Sequence, residues 1–226
     1  MENKKLPKIN DMEIELTGAA VDLYEKLKKG MTYDYVVHYS IATAMKVDDP
    51  LEVYDAVREF LDDTKGHWRL DEGTTIDCKK GCAFCCHLNV DVFDFEFEAI
   101  KTYLKNKYSR RIMKDVRIRA KSKYKKTRNM SSQKRQKQRI ACPLLDPYTN
   151  SCMVYHARPL KCRTFFSADV RLCEKGFKKP NEDTENSFWA MPYILGQDIE
   201  IGLTIGMVQK SGNVNYDCIE AKLSEL

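Results

Sequence analysis

Apolar residues recur at helical intervals through the first part of the chain. Ile14, Leu16, Ala20, Leu23 and Leu27 predict an amphipathic helix over 12–29 that stops at Gly30. Residues 32–46 predict a second helix, although Tyr33, Tyr35, Val36 and Val37 leave a strand open. The third is better marked. Asp49, Pro50 and Glu52 supply an N-cap, a proline at the first helical position and a carboxylate that reaches back. Leu51, Tyr54, Val57 and Leu61 then form its apolar face, and Gly66 ends it. These elements carry no catalytic constellation. They predict a helical N-terminal region, 1–70, packed on the cysteine-rich remainder of the chain.

Beyond it the pattern is mixed. Residues 67–77 read as a loop. Phe93, Phe95 and Phe97 alternate with acids in strand period, yet Asp94, Glu96 and Glu98 suit the first turn of a helix. Ala99, Ile100, Tyr103 and Leu104 continue at helical spacing, so a helix over about 94–108 is expected. From Arg110 to Arg139 apolar content in Ile112, Met113, Val116, Ile118 and Ala120 gives way to polar sequence, with a break at 129–133. Asp146-Pro147-Tyr148-Thr149-Asn150 is turn chemistry and predicts a short hairpin joining Cys142 to Cys152. Met153 to His156 starts a turn or helix that Pro159 ends. Residues 175–186 read as a polar loop, and 189–195 and 199–208 as core strands or a buried helix. Residues 213–226 end in a short helix containing Cys218. The fold class expected is mainly α with short β hairpins, without internal repeats.

Composition changes this picture little and charge changes it more. With 226 residues, 43% hydrophobic and 31% charged, the chain fits one domain, or one domain with an elaborated arm. No segment approaches the roughly 18 uncharged apolar residues of a membrane span, and the N-terminus lacks the apolar core of a signal peptide. The expectation is a cytoplasmic, reducing compartment and no membrane. The net charge of +5 conceals seventeen Lys and Arg over 101–139 against one acid, Asp115, while the remainder is net acidic. This block is either a solvated helical arm or a surface for nucleic acid or an acidic protein, because such a density of cations condenses on polyanions by counterion release. With only Tyr124 interleaved and no reading motif, both remain open.

The cysteines carry the chemistry. The stretch D-C-K-K-G-C-A-F-C-C-H places Cys78, Cys82, Cys85 and Cys86 within nine residues, and Gly81 permits a backbone reversal between them. Cys142, Cys152, Cys162 and Cys173 form a second block. Nine cysteines is an odd count, and neighbours such as Cys85 and Cys86 make strained disulfides, so metal is favoured over a disulfide frame. Thiolates at this spacing suit zinc or a [4Fe–4S] cluster. Cys78-x3-Cys82-x2-Cys85 is the spacing that radical S-adenosylmethionine enzymes use. However, no strand–helix barrel follows, and Cys86 can fill the open iron position. Arg158 and Arg163 either offset the charge of a cluster or form salt bridges with Asp146 or Glu98. His87 is a candidate additional ligand; His38, His67 and His156 read as packing or surface residues. No Ser-His-Asp arrangement, phosphate loop or paired carboxylates appears.

The order of motifs resembles the YkgJ-type cysteine-cluster family, the CxxCxxCC zinc- or iron-chelating domain. The matching residues are Cys78, Cys82, Cys85, Cys86 and Glu98, then Cys142, Pro143 and Leu145, then Cys152, Tyr155, Arg158, Pro159, Cys162 and Arg163, with Cys173 last. The resemblance covers 77–176, interrupted by a basic segment longer than the family leads one to expect. It departs at His87 and in the N-terminal helices. It implies eight thiols, Cys78, Cys82, Cys85, Cys86, Cys142, Cys152, Cys162 and Cys173, gathered at one metal site or two adjacent ones. About reaction it implies little. A related cluster occurs in the flagellin lysine methylase, but this chain is short for that and shows no nameable cofactor pocket. Two function classes emerge. One is a metal-binding module, 71–226, with a basic arm at 109–140 for an anionic partner. The alternative is an iron–sulfur oxidoreductase or methylase-like protein-modifying enzyme. Oligomeric state is left open.

Overall fold

The computed structural model describes residues 3–9, 12–64, 76–79, 81–180 and 190–226. Along the chain run strands β1 (Lys4–Ile9) and β2 (Met12–Leu16), then helices α1 (Gly18–Leu27), α2 (Asp34–Lys46) and α3 (Pro50–Thr64). Strand β3 (Asp91–Phe93) leads into α4 (Asp94–Lys107), α5 (Arg110–Thr127) and α6 (Ser132–Lys137). The short α7 (Leu160–Thr164) and α8 (Val170–Lys178) precede α9 (Ala190–Ser211), β4 (Tyr216–Cys218) and α10 (Ile219–Ser224). The fold is mainly α with two small antiparallel sheets, β1–β2 and β3–β4. Its residues form two compact units, Met1–Arg69 with Met191–Asn215, and Leu70–Ala190 with Tyr216–Leu226. No helix among the described residues is long and apolar enough to cross a membrane.

In the first unit, the helix expected over 12–29 divides. Ile14 and Leu16 are buried between exposed Glu13 and Glu15, which is strand period, and Leu6 of β1 faces Ile14. The helix begins only at Gly18, with Ala20, Val21 and Tyr24 buried. Residues 34–46 are helical, so the strand alternative falls. The buried carboxylate of Asp198 accepts hydrogen bonds from Thr32 N (3.2 Å) and Tyr33 N (2.7 Å) just ahead of α2. Such a carboxylate satisfies donors that a helix start leaves unpaired. Asp49 Oδ1 accepts from Leu51 N (2.7 Å), as its N-cap reading requires. Gly66 and His67 lie outside the described residues.

Residues 189–195 and 199–208 were expected as core strands or a buried helix of the cysteine-rich domain, and the helix alternative holds. From Ala190 on they form one long helix, α9, packed in the first unit instead; Trp189 lies outside the described residues. Gly202 and Gly206 explain the placement. A Cβ at 202 would stand 2.6 Å from Ser40 Cβ and closer still to Val37 O, and one at 206 would stand 2.7 Å from Ile41 O. Only bare backbone allows α9 to lie this near α2. Gly202→Ala is therefore expected to destabilise the protein by about 1–3 kcal/mol through overpacking, read as a lower denaturant midpoint. An unchanged midpoint would mean the two helices part at little cost.

The second unit has its own core of Val90, Val92, Ile100, Leu104, Val116, Ala120, Leu144, Val154, Ile219 and Leu223. The ambiguity at 90–98 resolves as both elements: β3 pairs with β4 (Val92 opposite Asp217), and α4 starts at once at Asp94. The basic segment is no free arm. Helix α5 buries Val116, Ala120, Lys123 and Thr127 and shares the core with Ile219 and Leu223 of α10. One face of four-residue spacing suffices to dock it, whatever the charge on the other. The expected break falls between α5 and α6, where Ser131 Oγ caps α6. The loop expected at 175–186 starts later, because α8 continues to Lys178; residues 181–186 lie outside the described ones. Cys218 ends β4 ahead of the last helix rather than lying in it.

Candidate metal centre

The first cysteine block is a turn followed by a single helical twist. Gly81 has φ +88°, in the left-handed region that its lack of a Cβ makes accessible, and so reverses the chain. Cys82 N donates to Lys79 O (3.0 Å) across the turn. Cys85 and Cys86 lie on a 3-10 turn, Phe84–His87, tied by Cys86 N to Ala83 O (3.0 Å). His87 Nδ1 donates to Ala83 O (3.0 Å), and its ring meets Phe177 of α8 edge-on at 4.7 Å. Phe84 also touches Phe177, so α8 is held against the turn.

Several backbone ties bring the second block to the first. Cys142 N donates to Cys86 O (2.7 Å), and Asn150 Nδ2 donates to Gly81 O (3.0 Å). The hairpin expected between Cys142 and Cys152 is a tight turn closed by one bridge, Leu145 with Cys152. Asp146 Oδ1 accepts from Tyr148 N (2.8 Å) and Thr149 N (3.0 Å), which is the turn chemistry its sequence announced. The turn begun after Met153 is the 3-10 stretch Tyr155–Ala157, and Pro159 caps the next helix, α7, which carries Cys162. Cys173 lies on α8, whose first residue donates from Val170 N to Asp77 Oδ2 (3.0 Å). Asp77 N in turn donates to Ser167 O (2.9 Å), and Ser167 N donates to Cys78 Sγ (3.1 Å).

The eight thiols consequently form one electrostatic neighbourhood. Cys85 is its hub, acting on Cys78, Cys86, Cys152, Cys162 and Cys173. Cys82 acts with Cys85 on both Cys78 and Cys173, while Cys86, Cys142, Cys152 and Cys162 interact among themselves. Cys142, Cys152 and Cys162 also pack against the unit's core, whereas Cys78 is exposed. The Cys86 thiol donates to Cys85 and draws the latter down to about 7, with the Arg158 guanidinium helping; the same bond pushes Cys86 up. Burial raises Cys162 well above the ordinary thiol range and pushes Cys142 up to about 11. Metal loading here would displace protons from buried thiols. Cys218 stands apart, its electrostatic neighbours being Glu220, Asp217 and Arg135.

The arginines of the second block differ. Arg158 lies over the Tyr155 ring (4.4 Å to the centroid) and acts on Cys85, Cys152 and Cys162. Arg163 donates from Nη2 to His156 O (2.7 Å), fastening the 3-10 turn to α7. Glu98 pairs with Lys101 (2.5 Å) at a half-exposed position. The acid that matters to the frame is Glu96, which sequence reading placed only in a helix's first turn. It is buried, accepting from Phe93 N (2.8 Å) and from Leu160 N (2.7 Å), and so joins the starts of α4 and α7. Also unforeseen is the buried pair Lys123–Glu220 (3.9 Å), whose charges both reach Cys142. Nothing in sequence connects positions 123 and 220. His38, read as a packing residue, is buried with Nε2 3.3 Å from Tyr24 Oη. His156 is exposed, stacked edge-on with Tyr155.

Among the described residues, no group of three or more His, Cys, Asp or Glu side chains stands in a metal-holding arrangement. By the chemistry of its donors the set nevertheless fits a thiophilic metal: eight thiols from two sequence blocks act on one another, with one drawn toward thiolate.

Residues 77–187 match the CxxCxxCC family model, described as "Putative zinc- or iron-chelating domain". It is the family that the motifs resemble, and the matched span takes in all eight thiols of the two blocks. Metal chelation is the property this match supports. No curated protein and no solved structure matches the chain.

Proposed function

We propose that the chain is a metal-binding protein of a reducing compartment whose two cysteine blocks together hold zinc or an iron–sulfur cluster, and whose basic segment meets an anionic partner. The observation that carries this reading is the direct tie between the blocks, Cys142 N to Cys86 O (2.7 Å), which joins the backbones of two cysteines 56 residues apart in sequence. The holding residues are Cys78, Cys82, Cys85, Cys86, Cys142, Cys152, Cys162 and Cys173. Eight thiols suffice for one cluster or for two adjacent zinc sites. Bound zinc supplies a rigid clamp, since metal binding by thiolates from separate loops is folding energy. The chain's own part is to bring the thiols together and release their protons.

A second reading, an iron–sulfur oxidoreductase or a protein-modifying enzyme, draws support from Arg158. Its guanidinium lies over Tyr155 and lowers the pKa of three thiols, where it would offset the negative charge of a thiolate-ligated cluster.

Metal and acid-labile sulfide analysis of protein purified without air, with a visible spectrum, separates these. Colourless protein with one or two zincs supports the first reading with zinc as the metal. About four irons with matching sulfide would make the metal of the first reading a cluster, and absorbance reversibly bleached by dithionite would favour the second. Protein that holds neither, even after reconstitution with zinc or with iron and sulfide, would overturn both.

A further inference from the structure

Helix α5 has two unlike faces. Arg111, Lys114, Ile118, Lys121 and Lys125 recur at three- and four-residue steps, a run that Arg128 continues just past the helix end, and all six are exposed. They fall within roughly one quarter to one third of the helix circumference. Val116, Ala120, Lys123 and Thr127 occupy the opposite side and are buried. Other cations of the segment are turned to internal work: Arg117 Nη1 donates to Leu226 O (2.8 Å), Arg119 Nη2 to Pro143 O (2.8 Å) and Arg135 Nη2 to Asp91 Oδ1 (3.2 Å). Among the described residues none of the five outward cations is ion-paired. Like charges at such steps repel; the docking of Val116 and Ala120 into the core holds the helix in spite of this.

We propose that this outward face of α5 binds duplex nucleic acid through its phosphates, without reading sequence. The proposal rests on the anionic-partner part of the function above and names the partner. The stripe is about 25 Å long at helical rise, a length over which both backbones of a duplex pass, each with one phosphate per roughly 3.4 Å of axis. No aromatic side chain interrupts the stripe, so stacking of single-stranded bases has no platform there. The apolar side of α5 is spent on the protein's own core and is not available to enter a lipid interface. Ile118 alone among the stripe's residues is apolar, so the face lacks the buried anchors by which proteins hold one another. Exposed Lys134 and Lys137 of α6 add charge beyond it.

Fluorescence anisotropy with a labelled mixed-sequence duplex tests this. Five phosphate contacts give a log–log salt slope of about −4 to −5, or roughly a 500-fold loss of affinity between about 50 and 200 mM salt. The variant Lys114→Glu/Lys121→Glu/Lys125→Glu is expected to lower affinity at least about tenfold and flatten the slope by about 3. The variant Lys5→Glu/Lys26→Glu/Lys29→Glu makes the same change in net charge at exposed positions of β1 and the α1 end, and should stay within about threefold of the parent. Equal losses in both variants would reduce the effect to net charge and overturn the proposal. So would tighter binding to single strands, polyglutamate or anionic vesicles than to the duplex. Metal content is measured on every sample. Metal-loaded protein that ignores duplex at low salt removes the surface and leaves the chelation reading. Duplex binding by protein that takes up no metal does the reverse.

Discussion

Cys162→Ser is expected to strip metal from the protein and to lower its melting temperature by about 10 °C or more. Helix α7, which carries Cys162, has five residues, too few to be stable by itself. It is held at its first residue by Glu96 and at Cys162 by whatever the thiols share. A structural metal site contributes on the order of 10 kcal/mol of apparent folding energy at neutral pH, and 1 kcal/mol moves the melting point of a chain this long by about 2–4 °C. Losing one thiolate therefore exceeds any ordinary core substitution. Cys82→Ser should behave alike, because Cys82 acts on both Cys78 and Cys173. Cys218→Ser is the control: it is buried but keeps company with Glu220 and Arg135 rather than with the other thiols, and should retain metal. Metal retained at full stoichiometry in both Cys162→Ser and Cys82→Ser, with unchanged melting, would place the site elsewhere.

What sequence made visible and what it hid divide along a physical line. Helix α3 was legible because its cap, proline and apolar face are all local; Asp49 and Leu51 are two residues apart. The grouping of the cysteines into two blocks was legible because their spacing is written in the chain, and the backbone ties Cys142–Cys86 and Asn150–Gly81 show how turns at Gly81 and Asp146 bring the blocks together. Strand β2 was misread because Leu16, Ala20, Leu23 and Leu27 follow at helical spacing and drew Ile14 into their run, although Ile14 and Leu16 alternate with Glu13 and Glu15 in strand period and Ile14 pairs with Leu6. The docking of α9 by Gly202 and Gly206 was illegible because small residues in a helix announce nothing until the neighbour at 37–41 is known. Charge misled in a similar way. Composition described 110–139 as an arm, while four buried positions in α5 make it part of the core and leave only its outer stripe to solvent. Glu98 drew notice as a family match, yet Glu96, two residues earlier, faces inward and carries the structural load. A two-residue shift in a helix turns a side chain by about 200°, so alternating acids are a poor guide to which one is buried.

That distinction makes Glu96→Gln informative. The buried carboxylate accepts from Phe93 N with one oxygen and from Leu160 N with the other, serving the first turns of α4 and α7 together. A glutamine of the same shape offers one acceptor oxygen and one NH2 group, so one of the two backbone donors meets another donor. Hydrogen bonds to charged groups are worth about 1.5–3 kcal/mol, and an unsatisfied buried donor adds its desolvation cost. The expected loss is about 2–4 kcal/mol in denaturant unfolding of the metal-loaded protein. Glu96→Ala, which abandons both donors and leaves a void, should lose more. Glu98→Gln removes only a half-exposed pair with Lys101 and should cost less than about 1 kcal/mol. Metal content under excess metal should be unchanged in Glu96→Gln, because the residue positions Cys162 through the backbone of α7 and contributes no ligand of its own. Parity between Glu96→Gln and Glu98→Gln would show that the two helix starts hold together without the shared carboxylate, and that the position of Cys162 is set by the thiol cluster alone.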